Sequence, residues 1–239
     1  MNTTEDQTPI YPTPTPARPL LALTVLAVED SRYASEALRL MCIRSVARIR
    51  RAECLRTARR HLAMYQPDVV IIDLGLPDGL GTDLIAELAG AALRPDVILA
   101  TSGDPGAEHR AIMAGADGFL PKPIPSLGQF QDCILCHLPA ERRPFATPPD
   151  PVDCPEPDRI AYRDDMSHAA EILEEMTDTY ALDYVAQFLG GVARIAGDEM
   201  LATAAKALAQ KRGSGRSAMS EAAIIAGLLQ ERLSERVAI

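Results

Sequence analysis

The sequence predicts an α/β fold, in which a doubly wound, five-stranded parallel sheet is followed by a small all-α helical bundle. Three observations support this prediction. From residue 20 to 138, apolar runs of strand length alternate with longer amphipathic stretches, which is typical of a parallel sheet covered by helices. Seven prolines between residues 139 and 157 then indicate a linker. Residues 158–239 contain no proline and have helical spacing.

Five stretches are predicted to be strands. Three are continuous apolar runs that end in polar residues, which suits strands buried on both faces of a sheet. These are residues 23–28, 69–73 and 97–101, and the weaker candidates are residues 45–50 and 118–120. The arrangement matches the flavodoxin-like type of sheet, which binds ligands at the carboxyl ends of its strands, near a switch point in strand order.

The predicted helices lie between these strands and after the linker. In the α/β part they are residues 31–43, 56–65, 81–88, 107–114 and 127–138, and in the bundle residues 160–176, 179–196, 198–210 and 218–237. Glycines at 197, 213 and 215 indicate breaks between the later helices. Two apolar stripes of the bundle are predicted to bury each other: Leu182, Val185, Phe188, Leu189 and Val192, and Ile224, Ile225, Leu228, Leu229 and Leu233.

The chain therefore divides into four predicted segments. Residues 1–19 are polar with five prolines, which favours a disordered tail. Residues 20–138 form the α/β domain, residues 139–157 the linker and residues 158–239 the helical domain. A bundle of this size has a modest core, so we expect it to dock on the α/β domain or on a partner.

Composition excludes several classes of protein. The 239 residues carry 24 basic and 33 acidic side chains, a net charge of −9, which disfavours a broad electrostatic contact with nucleic acid or an anionic membrane. No apolar run approaches the length of a membrane span, and the N-terminus does not read as a secretory signal. The five cysteines are an odd number and do not describe a disulfide framework. We expect a cytoplasmic protein with reduced thiols.

Acidic residues follow two predicted strands. Glu29 and Asp30 come after the first strand, and Asp73 ends the third strand. Because parallel strands end at the same edge of a doubly wound sheet, these carboxylates can converge. Such a cluster has to be protonated or neutralised by a cation, and Mg²⁺ prefers oxygen ligands of this kind. We therefore expect a magnesium site.

Groups that could bind a phosphoryl group follow the last two strands. The fourth strand offers Thr101, with Ser102 beside it, and the fifth is followed by Lys122. A hydroxyl and an ammonium at this edge would bind the oxygens of a phosphoryl group on one carboxylate, while the cation neutralises the developing charge.

Residues 22–138 resemble the receiver domain of bacterial two-component response regulators. The resemblance rests on Val28-Glu29-Asp30-Ser31 and on three further stretches, in this order and spacing: IDLGLPDGLG at residues 72–81, LATS at residues 99–102 and AGADGFLPKP at residues 114–123. It implies that Asp73 accepts a phosphoryl group from a histidine kinase or a phosphotransfer protein. It also implies that Glu29, Asp30, Asp73 and the backbone carbonyl of Gly75 bind Mg²⁺.

The resemblance assigns roles to three more residues. Thr101 would bind phosphoryl oxygens, Lys122 would pair with them, and Phe119 would be the aromatic residue that moves inward with the threonine. Leu76 stands where methionine is common in the family and Phe119 where tyrosine is more usual, which removes a phenolic hydrogen bond from the switch. The resemblance also implies a homodimer through this domain as a further expectation.

Two short motifs are weaker signals. The Cys133 to His137 segment has the spacing of a c-type haem attachment site or half of a zinc or redox site. It lies on a predicted packing helix and no secretory signal precedes it, so we interpret the cysteines as buried or interfacial thiols. His168 follows two aspartates and a serine, which suggests a degenerate histidine phosphotransfer or kinase dimerisation module, but the residues after it do not fit those families.

The helical domain does not have the charge pattern of a typical DNA-binding output. From residue 150 onward there are 9 basic and 16 acidic side chains, a net charge of −7, and no predicted helix concentrates basic or amide side chains. No catalytic motif is recognisable there either, so we expect no enzymatic activity. The preferred hypothesis is output by protein contact, on a sensor kinase or phosphorelay component. A divergent DNA-binding regulator and the His168 module remain alternatives.

Overall fold

The computed structural model describes residues 14–104, 106–143, 155–174, 179–214 and 216–234. Its strands are β1 (Thr24–Val28), β2 (Arg48–Ala52), β3 (Val69–Asp73), β4 (Gly75–Leu76), β5 (Gly79–Leu80), β6 (Val97–Ser102) and β7 (Gly118–Pro121). Five of them form a parallel sheet in the order β2-β1-β3-β6-β7, and β4 and β5 form a separate antiparallel ladder. The predicted five-stranded parallel sheet is confirmed.

Five helices cover this sheet and four more follow it in the described residues. The first group is α1 (Arg32–Arg44), α2 (Leu55–Met64), α3 (Gly81–Ala89), α4 (Ala107–Ala114) and α5 (Leu127–Leu135). The second group is α6 (Arg159–Glu174), α7 (Thr179–Ala196), α8 (Glu199–Gly213) and α9 (Met219–Ser234). In the described ranges, no helix combines the length and the apolar character needed to cross a membrane.

The position of each strand in the sheet explains its composition. All five residues of β3 are buried, because this strand lies in the centre of the sheet with a helix layer on each face. By contrast, β2 lies at the edge, and its three arginines, Arg48, Arg50 and Arg51, are exposed. One core lies under α1 and α5 and includes Met41 and Phe130, and a second lies under α2, α3 and α4.

The strand order determines where a crevice forms at the edge of the sheet. The chain runs from β1 to β2 on one side and then to β3 on the other side of β1, so the order reverses between β1 and β3. A crevice forms at the carboxyl ends of the strands at such a point. Val28 pairs with Ile72 in the ladder, so the next residue of each chain segment, Glu29 after β1 and Asp73 at the end of β3, lies at the crevice.

The helices α6 to α9 pack together into a bundle that also contacts the α/β domain. Its core includes the whole first predicted stripe, as expected, together with Leu201, Leu208 and Leu229. Tyr33 of α1 belongs to the same buried cluster, so the bundle docks on the α/β domain at that helix. One member of the second stripe was wrongly predicted, because Ile224 is 58% exposed on α9 while Ile225 is fully buried.

Some boundaries differ from the sequence prediction. The second strand begins at Arg48 instead of residue 45, because the Ser45 N–H still bonds Met41 O of α1 and Val46 has a left-handed φ of 62°. The fifth helix ends at Leu135 instead of residue 138. Pro139 disfavours helical backbone at the residue before it. In the predicted tail, two backbone hydrogen bonds between Thr15 and Arg18 close a turn.

Several predictions fall outside the described residues. These are the disordered tail at residues 1–13, the central linker at residues 144–154 and the predicted helix ends at residues 175–176 and 235–237. The described start of the linker contains a 3-10 turn at Ala140–Arg142. Arg142 forms ion pairs with Asp68 and Asp96, which fix this turn near the amino ends of β3 and β6.

Candidate functional site

A lysine joins two carboxylates at the carboxyl edge of the sheet. Lys122, which directly follows β7, places Nζ 2.8 Å from Oδ2 of Asp73 and 2.6 Å from Oε2 of Glu29. The Lys122 side chain is only 8% exposed. Its backbone N–H donates to the Ser102 carbonyl at 2.9 Å, continuing the pairing of β7 with β6. The sheet therefore brings residues from three strand ends into one ion-paired group.

Asp30 completes a cluster of three carboxylates with Glu29 and Asp73. One oxygen from each lies within 4.8 Å of the others. When all three are ionised, the Lys122 ammonium balances only one of their charges, so two negative charges remain in a largely buried pocket. Both the net charge and the all-oxygen donor set fit a hard divalent cation such as Mg²⁺. Gly75, the predicted carbonyl ligand, lies two residues after Asp73, and its N–H donates to Oδ1 of Asp73 at 3.3 Å.

The pKa values reflect this crowding. Burial and then the neighbouring Asp73 charge raise the pKa of Asp30 to about 7. The pKa of Glu29 is also raised, mainly by burial. Burial acts to lower the pKa of Lys122, but the Asp73 and Glu29 carboxylates outweigh it and raise that pKa above its ordinary value. The lysine is thus held in its charged form, while Glu29 and Asp30 resist ionisation.

The predicted hydroxyl groups lie beside Asp73. Thr101 pairs with Asp73 in the β3–β6 ladder and is buried. The next residue, Ser102, is also buried, and its Oγ accepts a hydrogen bond from the Asp104 N–H at 3.1 Å. Phe119 of β7 pairs with Ala100 of β6. Its side chain is partly buried and packs against the core under α2 to α4. The structure therefore places Thr101, Ser102 and Phe119 near the same strand ends as Asp73.

Sequence reasoning missed the part of the site that comes from the bundle. The Tyr184 hydroxyl of α7 donates a hydrogen bond of 2.6 Å to Oδ2 of Asp30. On α6, the Asp165 carboxylate accepts hydrogen bonds from the Ser31 hydroxyl at 2.7 Å, the Arg32 N–H at 2.8 Å and the Tyr33 N–H at 3.0 Å. Asp165 therefore caps the amino end of α1, directly after Asp30. No local pattern in the sequence signals either contact.

Two glycines at the edge of the sheet accommodate side chains of α7. A Cβ on Gly75 would lie 2.0 Å from Nε2 of Gln187, and a Cβ on Gly103 would lie 2.0 Å from Nη2 of Arg194. A cavity of about 550 Å³ remains between α7 and the edge of the sheet, and Asp73 and Lys122 line it together with Arg194. The acidic pocket is consequently an interdomain site.

The weaker motifs lie apart from this group. His168 is exposed on α6, with its ring edge-on to Phe188 at 5.6 Å between centroids. Cys133 lies on α5 and donates to the Phe119 carbonyl at 3.8 Å, and the exposed Cys136 caps that helix. Within the described residues, the group of three potential metal ligands is Glu29, Asp30 and Asp73, and it does not include the cysteines. Cys133 packs against the core under α1 and α5, whereas the exposed Cys136 does not fit a packing role.

Comparison with known proteins gives the same family as the motifs. Residues 25–132 match the model of the response regulator receiver domain. The KDP operon transcriptional regulatory protein KdpE of Escherichia coli is 34% identical over 128 residues, which is 54% of this chain and 56% of that protein. KdpE of Mycobacterium tuberculosis is 35% identical over 100 residues, 42% of this chain and 44% of that protein. The chain thus spans about half the length of these curated relatives.

One solved structure is also similar to part of this chain. A Chloroflexus aurantiacus protein, solved as a candidate response regulator, is 30% identical. The match covers 43% of this chain and 86% of that one, with a TM-score of 0.41. The family model stops at residue 132 and does not assign the helices that follow it.

Proposed function

Because residues 25–132 match the receiver domain of response regulators, we propose that Asp73 accepts a phosphoryl group from a histidine kinase or a histidine phosphotransfer protein. The observation that carries this proposal is the ion-paired group of Lys122, Asp73 and Glu29 at the end of three strands. In the transfer, an oxygen of Asp73 forms a bond to phosphorus while the bond between phosphorus and the donor's imidazole nitrogen breaks.

The residues of the pocket have distinct roles in this proposal. Lys122 already lies 2.8 Å from Asp73 and would pair with the added phosphoryl oxygens. Thr101, opposite Asp73 in the ladder, would donate its hydroxyl to them, and Phe119 would follow its movement. Glu29, Asp30, Asp73 and the Gly75 carbonyl would hold Mg²⁺, which when bound supplies neutralising charge for the transferred group. Glu29 would do so with one oxygen already paired to Lys122.

Acetyl phosphate provides a direct test. We expect the full chain with Mg²⁺ to gain the mass of one phosphoryl group, and Asp73→Asn to gain none. Asp83→Asn is the matched control, because Asp83 is exposed at the start of α3 and its variant should be labelled like the parent. Circular dichroism checks that each variant is folded. A parent chain whose mass does not change would contradict the proposal.

We further propose that the output is protein contact. The helical domain carries a net charge of −7 from residue 150 onward, which supports a protein partner over a nucleic acid. The relatives named above are called transcriptional regulatory proteins, so the comparisons do not support excluding DNA. Duplex binding should be measured at low salt with and without acetyl phosphate, and salt-dependent binding that appears on phosphorylation would overturn the protein-contact output.

A second candidate function uses His168 as a phosphate carrier. Its side chain is exposed on α6, as phosphotransfer between proteins requires. The ring contact with Phe188 equally suits a surface histidine without chemistry. Labelling with phosphate from a kinase separates the two: the relay predicts that His168→Ala loses an acid-labile, base-stable label, whereas an unchanged label pattern would end it.

A further inference from the structure

The acidic pocket is covered by the chain's own helix α7. Gln187 lies against Gly75, and Arg194 lies against Gly103. A Cβ on Gly191 would lie 3.9 Å from Cδ of Lys122, so the helix backbone passes directly over the lysine. Asp73 is left only 7% exposed. A histidine of another protein has to approach an oxygen of Asp73 closely, and α7 occupies the space through which it would come.

Tyr184 connects α7 directly to a carboxylate of the proposed ion site. Its hydroxyl donates to Oδ2 of Asp30 at 2.6 Å, while Oδ1 of Asp30 accepts the Ser31 N–H at 3.1 Å. Both oxygens of this carboxylate are therefore engaged. A cation that took Oδ2 of Asp30 as a ligand would have to displace the Tyr184 hydroxyl.

The residues directly after Asp30 form a second contact with the bundle. Ser31, Arg32 and Tyr33 all donate to the Asp165 carboxylate of α6. The chain from Asp30 to Tyr33 thus contacts both helices, α7 through Tyr184 and α6 through Asp165. A change in the position of Asp30 acts on a segment that is attached to both α6 and α7.

We propose that the pair α6–α7 is a displaceable cover of the phosphorylation pocket, and that a divalent cation and the Tyr184 hydroxyl compete for Asp30. The inference rests on the proposed Mg²⁺ site. The covered and open arrangements form a two-state equilibrium in which the ion favours the open state. By linkage, weakening the cover tightens ion binding, and ion binding weakens the cover.

Calorimetric titration of the full chain with Mg²⁺ tests the competition. We expect Tyr184→Phe to bind Mg²⁺ about tenfold more tightly than the parent chain, because a hydrogen bond to a charged group is removed from the covered state only. Tyr162→Phe is the matched control. The Tyr162 hydroxyl donates to Asp198 within the bundle at 2.8 Å, so its loss should leave the Mg²⁺ affinity unchanged.

Hydrogen exchange gives an independent measurement that does not depend on a variant. In the parent chain, Mg²⁺ should increase exchange in peptides from α6 and α7, whereas peptides from β3 should keep their protection. Equal Mg²⁺ affinity in the parent and Tyr184→Phe chains, or unchanged exchange in α6 and α7 at saturating Mg²⁺, would overturn the cover and leave the phosphorylation proposal intact. Absence of Mg²⁺ binding in all three chains would overturn the ion site and the cover with it.

Discussion

Asp165 accepts a hydrogen bond of 2.7 Å from the Ser31 hydroxyl, across 134 positions of the sequence. Ser31 Oγ in turn accepts the Ala34 N–H at 2.9 Å as the N-cap of α1. The bundle therefore stabilises the first turn of a helix in the other domain, at the residue that follows Asp30. Interdomain contact and helix capping are one network at this point.

Replacing Asp165 with alanine should destabilise the chain. The change leaves three donors at the start of α1 without their acceptor, and we expect a loss of about 1–3 kcal/mol. Urea denaturation followed by circular dichroism measures it. The adjacent Asp164 is the control, because its ion pair with Arg32 is exposed, so Asp164→Ala should change stability by less than about 1 kcal/mol. Equal effects of the two variants would contradict the capping role.

The raised pKa of Asp30 predicts a dependence of stability on pH. Its pKa is about 7 in the folded chain and about 3.9 in an unfolded chain, so between these values the folded state binds more protons. This contribution to stability is fully present below about pH 4 and is lost as the pH rises to about 7. Urea unfolding in EDTA at several pH values should show the loss for the parent chain and a smaller one for Asp30→Asn. A parallel pH profile for the two chains would refute the prediction.

Gly81 should not tolerate a side chain. A Cβ at this position would lie 2.0 Å from the backbone oxygen of Asp73, which cannot move without shifting the end of β3. We expect Gly81→Ala to lose about 1–3 kcal/mol and to be labelled more weakly by acetyl phosphate. Gly227→Ala on α9 is the opposite case, since nothing lies within 4 Å of its Cβ, and it should gain about 0.5–1 kcal/mol. Thermal melting of both variants decides the point, and similar shifts would argue against the contact.

The thiols should differ sharply in reactivity. Burial raises the pKa of Cys42 to about 12, and this side chain is enclosed in the core under α1 and α5. Cys136 is exposed at the end of α5. Iodoacetamide at mildly alkaline pH should therefore modify Cys136 and leave Cys42 unmodified until the chain is unfolded. Peptide mass mapping reads both sites, and early modification of Cys42 would show that this core is not closed.

The predictable part of the fold is the part with strong local signals. The central strand β3 was predicted with its observed bounds, because burial on both faces requires a continuous apolar run. The edge strand β2 was placed three residues early. Its sequence, RIRRA, has arginines at the three exposed positions of the strand. It therefore contains neither a continuous apolar run nor a clear signal for the residue at which the strand begins.

The same distinction holds for the site. Glu29, Asp73 and Lys122 were found because parallel strands end at one edge, and the structure brings them within ion-pair distance. Tyr184 and Asp165 were not found, since their contacts depend on how two domains dock, for which the sequence has no local pattern. In the segment that contains Asp165, the sequence pattern points to His168 instead, and that side chain is exposed.

The arginines of β2 have a consequence for how copies of the molecule meet. An edge strand presents unpaired backbone groups that can recruit a strand from another molecule. At this edge, Arg48, Arg50 and Arg51 are exposed beside those groups. Two copies aligned along β2 would bring like-charged guanidinium groups together, and that repulsion opposes sheet extension into fibres.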